Sequence, residues 1–574
     1  MLYFIVCVAS YLQHVKSCMR ESCGELEKDR NMESHYVDVH LLQRKVQVKS
    51  GKNANKCLEK EMVFLSEAER RKATLTRKQV FNDGQMRKKQ VITLLGKPGT
   101  GKSTFIKRLC LDWAKGGLPR FRYVFSLNCK TFNLTQPDYS LRRLLFDLPT
   151  SLHCEDPEAV FKHVVSTPKE VLIIFDSFED FKDHEGLLHS PATCAKAGGF
   201  SIKQLFSGLF LKRLLKGCTL FISTRPSGVL TPLLRKVDSI LELRGFSPVE
   251  IDLYASRYFT DVPRGASALT KMKLQKYVYS LCSNPLLCRY TCFLLDYHLD
   301  NRHYALPSTL TGLALRVLSL CLKLTSQTQD QETPDISRLC TLAWDFLSTH
   351  NCLATDEQLG STDLRDYGLA TEILASHTVG SSDSTGETIS YSFAHALIQN
   401  LLASLHLVLS DNVNDKALVS QTMGTSRRRR PQGEWLAMVQ QFTMGLLFQN
   451  CKLQVSSILH TTTSTASTAK KKAMESHVES LKAGEMAPGK LLELCHCVYE
   501  TSSKKLMKHL VKNLPDTISL CGAQLTPPDV YVFWHLLQNT KALKRQFCID
   551  VQDTGITLCG LKELVGLDCV TSYR

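Results

Sequence analysis

The segment Gly96-Lys97-Pro98-Gly99-Thr100-Gly101-Lys102-Ser103-Thr104 sets three glycines beside a lysine and two adjacent hydroxyls. Glycines let backbone N–H groups close around phosphate oxygens, Lys102 supplies a point charge, and the Ser103 hydroxyl can ligate Mg²⁺. This pattern predicts binding of a nucleoside triphosphate, GTP or ATP, together with Mg²⁺. Because the loop meets phosphates and not the base, it does not separate the two nucleotides. Farther on, Asp176-Ser177-Phe178-Glu179-Asp180 closes an apolar run, which makes Asp176 the candidate to hold Mg²⁺ through water and Glu179 or Asp180 the candidate to polarise an attacking water. Ser223-Thr224-Arg225-Pro226 brings a cation to an equivalent place, where Arg225 can meet the γ-phosphate.

These residues need a scaffold that aims them at one point. Val91–Leu95 precedes the loop as a strand, and Ile106, Leu109, Cys110 and Trp113 follow at i, i+3, i+4, i+7, one buried face of a helix ending at Gly116-Gly117. Further strands are expected at Tyr123–Leu127, Val171–Phe175, Thr219–Ser223 and Ile240–Leu243, with amphipathic stretches between them. That alternation predicts an α/β P-loop NTPase fold, a parallel sheet with helices on both faces. In such sheets ligands bind at the carboxyl edge of the strands, where Asp176 and Arg225 fall.

The chain has 574 residues, more than one core usually supports, with 43% hydrophobic and 22% charged residues, which excludes wholesale disorder. Lys and Arg outnumber Asp and Glu by 71 to 55, a net charge of +16 that favours acidic partners without specifying them. Basic clusters occur at Arg70-Arg71-Lys72, Arg87-Lys88-Lys89, Arg427–Arg430 and Lys470-Lys471-Lys472, none interleaved with aromatics as a single-strand stacking platform requires. Ser426–Pro431 reads as a nuclear-import segment or a solvated loop. The 22 cysteines include no C-x-x-C pair, so neither a zinc ribbon nor a thioredoxin-like site is indicated. Cys495-His496-Cys497 and Cys288 with Cys292 read as helix packing. No apolar run reaches the roughly 18 residues that span a bilayer, and Leu2–Ala9 lacks the flanks of a signal peptide.

The phosphate loop, Leu172–Asp176, Ser223–Pro226 and Asn284-Pro285-Leu286-Leu287 occur in the order of a NACHT domain, and the chain resembles the NACHT-domain NOD-like receptor family. Phe393-Ala394-His395-Ala396-Leu397-Ile398-Gln399 resembles the family's winged-helix motif. The resemblance implies that Pro285 packs against the base and that His395 approaches the β-phosphate in a closed state; read alone, Pro285 is a helix-entry residue and His395 a core histidine. It also implies a nucleotide-binding domain over 91–247, preceded by an N-terminal extension over 1–35 and a pre-NACHT segment over 36–90. A helical domain over 248–305, a winged-helix domain over 306–410, a second helical domain over 411–512 and incomplete leucine-rich repeats over 513–574 complete the expected order. The repeats rest on Ile518–Leu520 and Phe547–Ile549, 29 residues apart. Thr461–Thr468 reads as a flexible insertion.

Two departures from the family pattern bear on chemistry. Ser177 stands where glycine is usual and Glu179-Asp180 where Asp-Glu is commoner, which predicts slow or negligible turnover. Asn400 stands where the winged-helix motif usually has glutamate. Segments such as Phe178–Asp180, Leu214–Leu220 and Leu243–Ser247 resemble the family's transcriptional-coactivator branch. That branch implies a nucleotide switch acting on MHC class II genes in nucleus and cytoplasm. Its partners are promoter-bound transcription factors and coactivators, with self-association, without sequence-specific DNA contact and without a membrane. A cytosolic innate sensor that oligomerises is the second reading, and an NTPase whose turnover is its activity the third. The chain is expected to be a shortened form, without the branch's acidic activation region and with its repeats cut short.

Overall fold

The computed structural model describes every residue except 1, 28–29, 45–66, 82–89, 135–138, 148–155, 184–185, 194–198, 227–230, 302, 330–333, 380–387, 424–434, 450, 460–465 and 540–542. The basic clusters Arg87–Lys89 and Arg427–Arg430 and the first part of the Thr461–Thr468 stretch lie outside the described residues. The chain divides into two compact units, one of residues 1–63, 70–245 and 376–390, the other of 64–69, 246–375 and 391–574.

The first unit is built on a seven-stranded sheet. Its strands are β1 (Leu41–Arg44), β2 (Thr74–Leu75), β3 (Val91–Leu95), β4 (Tyr123–Asn128), β5 (Val171–Asp176), β6 (Thr219–Thr224) and β7 (Ser239–Leu243), in the order β2-β1-β7-β3-β6-β5-β4. The five strands from β7 to β4 run parallel. β1 pairs antiparallel with both β7 and β2, which corrects the expectation of a wholly parallel sheet: the segment before residue 90 supplies an antiparallel edge. β3 and β6 are buried at every position, as strands covered by helices on both faces must be.

Helix α1 (Leu2–Gly24) was expected only as an extension, yet it packs on the sheet's helical layer. Cys7, Val8, Tyr11, Val15 and Met19 recur at near-helical spacing and are all buried. Its neighbour α2 (Lys102–Ala114) follows the phosphate loop and buries Ile106, Leu109, Cys110 and Trp113, the predicted face. Arg20 reaches across to donate to the Ala114 carbonyl at 2.8 Å, satisfying one of the free acceptors that end α2.

The second unit is mainly helical. Asn284 caps helix α3 (Pro285–His298), its side chain accepting from the backbone N–H groups of Leu286 and Leu287. Helix α4 (Leu310–Gln329) is capped from a distance: Glu500, on helix α6 (Pro488–Thr501), accepts from the Leu310 and Thr311 amides at 2.9 and 3.0 Å and from the Thr311 hydroxyl at 2.6 Å. Strands β8 (Leu374–Val379) and β9 (Thr388–Phe393), whose residues 376–390 count with the first unit, form a small two-stranded sheet ahead of helix α5 (Ala396–Leu409). Lys470 is buried and donates to the carbonyls of Leu407, Val408 and Ser410, closing the C-terminal end of α5. Ala466–Ser480 is helical, so the expected flexible insertion does not extend through Thr468.

At the C-terminal end β10 (Thr517–Ser519), β11 (Phe547–Asp550) and β12 (Val570–Tyr573) form a parallel sheet in that order. Helices α7 (Pro527–Gln538) and α8 (Leu558–Val565) connect them. Ile518, Phe547 and Ile549 point inward with Leu537 and Leu564, while β12 adds a third strand to the two expected.

Candidate functional site

The loop between β3 and α2 has the conformation its composition predicts. Gly101 caps α2 with φ +91°, a region L side chains seldom adopt, and a Cβ on Gly96 would stand 2.6 Å from the Thr100 hydroxyl. With Gly96 bare, the Lys102 ammonium turns back to donate to the Gly96 carbonyl at 2.8 Å. Lys102 is buried, and that desolvation lowers its pKa against the pull of Glu179.

Asp176 ends β5 at the carboxyl edge of the sheet. The Ser223 hydroxyl donates to it at 2.5 Å and accepts from the Ser177 amide at 2.9 Å, so β6 fixes both the carboxylate and the turn after it. Ser103 also hydrogen-bonds Asp176, bringing the two expected Mg²⁺ positions together from α2 and β5. Burial raises the Asp176 pKa, with the Ser223 and Ser103 bonds opposing. Nothing in the spacing marked Ser223 for this role; its signal is that it stands one strand over from Asp176.

Ser177 has φ +57° and ψ +48°, a left-handed conformation that explains why glycine is usual there. The short turn Phe178–Asp180 it opens places Glu179 between two cations. Arg225 Nε lies 2.9 Å from Glu179 Oε1 and Lys102 Nζ 3.9 Å from the same oxygen, with the Glu179 side chain only 11% exposed. Burial alone would raise its pKa, but Lys102 and Arg225 outweigh it and hold the carboxyl below its ordinary value. Asp180 lies 3.9 Å from Lys130 Nζ, and burial raises its pKa. Of the two candidate bases, Glu179 is therefore the weaker one and is engaged as an ion-pair partner.

The residues present fit a Mg²⁺-bound triphosphate. Ser103 and Asp176 are hard oxygen donors, Lys102 and Arg225 are cations at one sheet edge, and a Cβ on Gly101 would meet nothing within 4 Å. Glu179 Oε2 is a buried acceptor without a hydrogen bond, in a cluster whose cations would interact with phosphate.

Pro285 and His395 belong to the second unit. Pro285 is the first residue of α3 and half-buried; His395 caps α5 and is also half-buried, which corrects its reading as a core histidine. Tyr290, one turn into α3, meets the His395 ring edge-on at 6.1 Å between centroids, so the two expected nucleotide contacts sit on neighbouring elements. Asn400 is buried in α5, with its amide directed at the Met438 sulfur. Cys495 and Cys497 are buried in α6, and His496 pairs with Asp529 at 2.7 Å; among the described residues no group of three or more His, Cys, Asp and Glu could hold a metal ion. Among those residues, too, no helix is long and apolar enough to cross a membrane.

A NACHT domain model matches residues 90–262, and a model of the NLRC4 helical domain HD2 matches residues 395–509. The human MHC class II transactivator is 34% identical over 94% of this chain and 46% of its own length. Protein NLRC5 of mouse is 27% identical over 78% of this chain and 23% of its own length. Human NACHT, LRR and PYD domains-containing protein 3 is 27% identical over 56% of this chain and 31% of its own. The chain thus spans less than half the length of these relatives.

Proposed function

For a chain that belongs to the NACHT-domain NOD-like receptor family, as this one does, we propose the role of a nucleotide-binding switch that acts as a transcriptional coactivator of MHC class II genes. The observation that carries this reading is the 34% identity to the human MHC class II transactivator over 94% of the chain. By that resemblance it assembles on promoter-bound transcription factors and coactivators, self-associates, and works in nucleus and cytoplasm without reading DNA sequence itself.

The proposed switch uses the cluster around Glu179. A triphosphate held by the loop 96–104 competes with Glu179 for Lys102 and Arg225, while Ser103 and Asp176 hold Mg²⁺, the latter through water. Pro285, in the helical domain over 248–305, receives the base, and His395, in the winged-helix domain over 306–410, receives the β-phosphate. The remaining boundaries proposed are those expected from the resemblance, with 513–574 opening a leucine-rich-repeat array whose first strands are β10, β11 and β12. GTP is the nucleotide that the coactivator resemblance favours, with ATP the alternative. Differential affinity of several kcal/mol is needed to carry such a switch from mostly closed to mostly open, and a γ-phosphate meeting two cations is of that order. Turnover is slow in this account, because Glu179 is held in an ion pair and Ser177 strains the turn that presents it.

Relatives of the NACHT, LRR and PYD group support a second reading, a sensor that oligomerises on activation. A class II promoter reporter separates the two. Induction by the chain, lost in Lys102→Ala, supports the coactivator; no induction together with ligand-triggered oligomers in the cytosol supports the sensor.

A further inference from the structure

Helices α1 and α2 each carry a cysteine where they meet. Cys23, in the last turn of α1, is partly exposed, whereas Cys110, on the inward face of α2, is 2% exposed. The two helices pack directly on each other, and the two thiols come close enough there to shift one another's titration. Arg20, bonded to the Ala114 carbonyl, and Lys16, 5.2 Å above the Trp113 ring, hold the helices against each other around the pair.

The surroundings make the two sulfurs unequal. Cys23 faces Cys110, the Ser22 hydroxyl 3.8 Å away and the Lys107 ammonium, and its pKa is lowered to about 7, led by the Cys110 bond and against the effect of burial. Cys110 is pushed up, by the Cys23 bond first and by burial, with Ser126 on β4 bonding to it and Asp176 adding a smaller upward push. A reachable, partly ionised thiol facing a buried protonated one across a helix interface is the arrangement in which a peroxide-reactive cysteine has its resolving partner at hand. Among the other described cysteines, Cys129, Cys218 and Cys340 are buried thiols with raised pKa, and Cys288, which meets Cys282 and Cys292, is buried together with both of them.

We propose that Cys23 and Cys110 form a reversible oxidation site, at which a peroxide joins α1 by a disulfide to the helix that carries Lys102 and Ser103. The Cys23 thiolate attacks a peroxide oxygen; the S–O bond forms, the O–O bond breaks, and the departing hydroxide takes up the proton that Cys23 released. Cys110 then attacks the sulfenic sulfur, the S–S bond forms, the S–O bond breaks, and water leaves with the Cys110 proton. Two thiols are oxidised by two electrons in all, and hydrogen peroxide is reduced to two waters.

Trypsin isolates each cysteine, Cys23 in Glu21–Lys28 and Cys110 in Leu109–Lys115. The full chain is treated with hydrogen peroxide, its free thiols are alkylated, and the unreduced digest is read by mass spectrometry. The expected product is the Glu21–Lys28 peptide linked to Leu109–Lys115, absent after dithiothreitol. In Cys110→Ser, Cys23 is expected to stop at the sulfenic acid and to be trapped by dimedone. Recovery of both wild-type peptides alkylated after peroxide, linkage of Cys23 to a different cysteine, or no dimedone adduct on Cys23 in Cys110→Ser overturns the proposal.

Discussion

Arg225 Nε stands 2.9 Å from Glu179 Oε1, so the cation expected to sense a phosphate is engaged by a carboxylate of the same sheet edge. Lys102, 3.9 Å from that oxygen, completes a three-charge cluster in which one acid serves two bases. Under the proposed switch this carboxylate-paired arrangement would give way to a phosphate-paired one when a triphosphate binds.

Removing one partner of this cluster should be costly. Breaking a buried pair typically destabilises by ~3–5 kcal/mol, and the partial exposure of Arg225 reduces the expectation for Arg225→Ala to about 2 kcal/mol. Adding Glu179→Gln should recover part of that loss. Denaturant unfolding of the single and double variants measures the coupling, and strictly additive losses would show that the pair is not energetically linked.

Ser177 is held at φ +57°, where a glycine has no steric conflict. Ser177→Gly should therefore stabilise the chain by roughly 0.5–1 kcal/mol, the lower end reflecting the extra freedom of glycine when unfolded. A thermal melt is sufficient; an unchanged or lower midpoint would mean that contacts of the serine side chain offset the strain.

Glu500 is buried, and that burial raises its pKa although three donors from the start of α4 stabilise its charge. A carboxyl with a raised folded-state pKa contributes stability that is fully present below its unfolded value and is lost as pH rises through the folded one. Wild-type stability should thus decline relative to Glu500→Gln as pH climbs above the ordinary glutamate value of 4.5. Urea midpoints taken across that range for both proteins test the sign. Glu500→Ala, which leaves the α4 donors unmet at every pH, should lose ~2–4 kcal/mol.

Lys470 and Lys472 belong to one basic run but have opposite roles. Lys470 donates to three carbonyls at the end of α5 while Lys472 is exposed. Lys470→Ala should destabilise by ~2–3 kcal/mol and Lys472→Ala by less than about 0.5 kcal/mol. Equal effects in chemical denaturation would contradict the assigned cap.

Much of this was legible in the sequence where local chemistry dictates local shape. Five apolar runs without alternation announced strands covered on both faces, and the glycine spacing announced the loop between β3 and α2. What was not legible depends on partners distant in sequence. The antiparallel edge comes from Leu41–Arg44, too short a strand to stand out, and becomes a strand by pairing with β7. Lys470 reads as surface charge until the end of α5 surrounds it. Ser223 acquires its role from lying beside Asp176, and Glu179 from two cations separated from it by 77 and 46 residues.

The most direct test is equilibrium binding of labelled GTP and ATP with Mg²⁺ to the full chain and to Lys102→Ala, with circular dichroism confirming that the variant is folded. The chain is expected to bind at least one of the two triphosphates, and folded Lys102→Ala to bind neither. Undiminished binding by the variant, or no binding by the chain itself, would contradict that expectation.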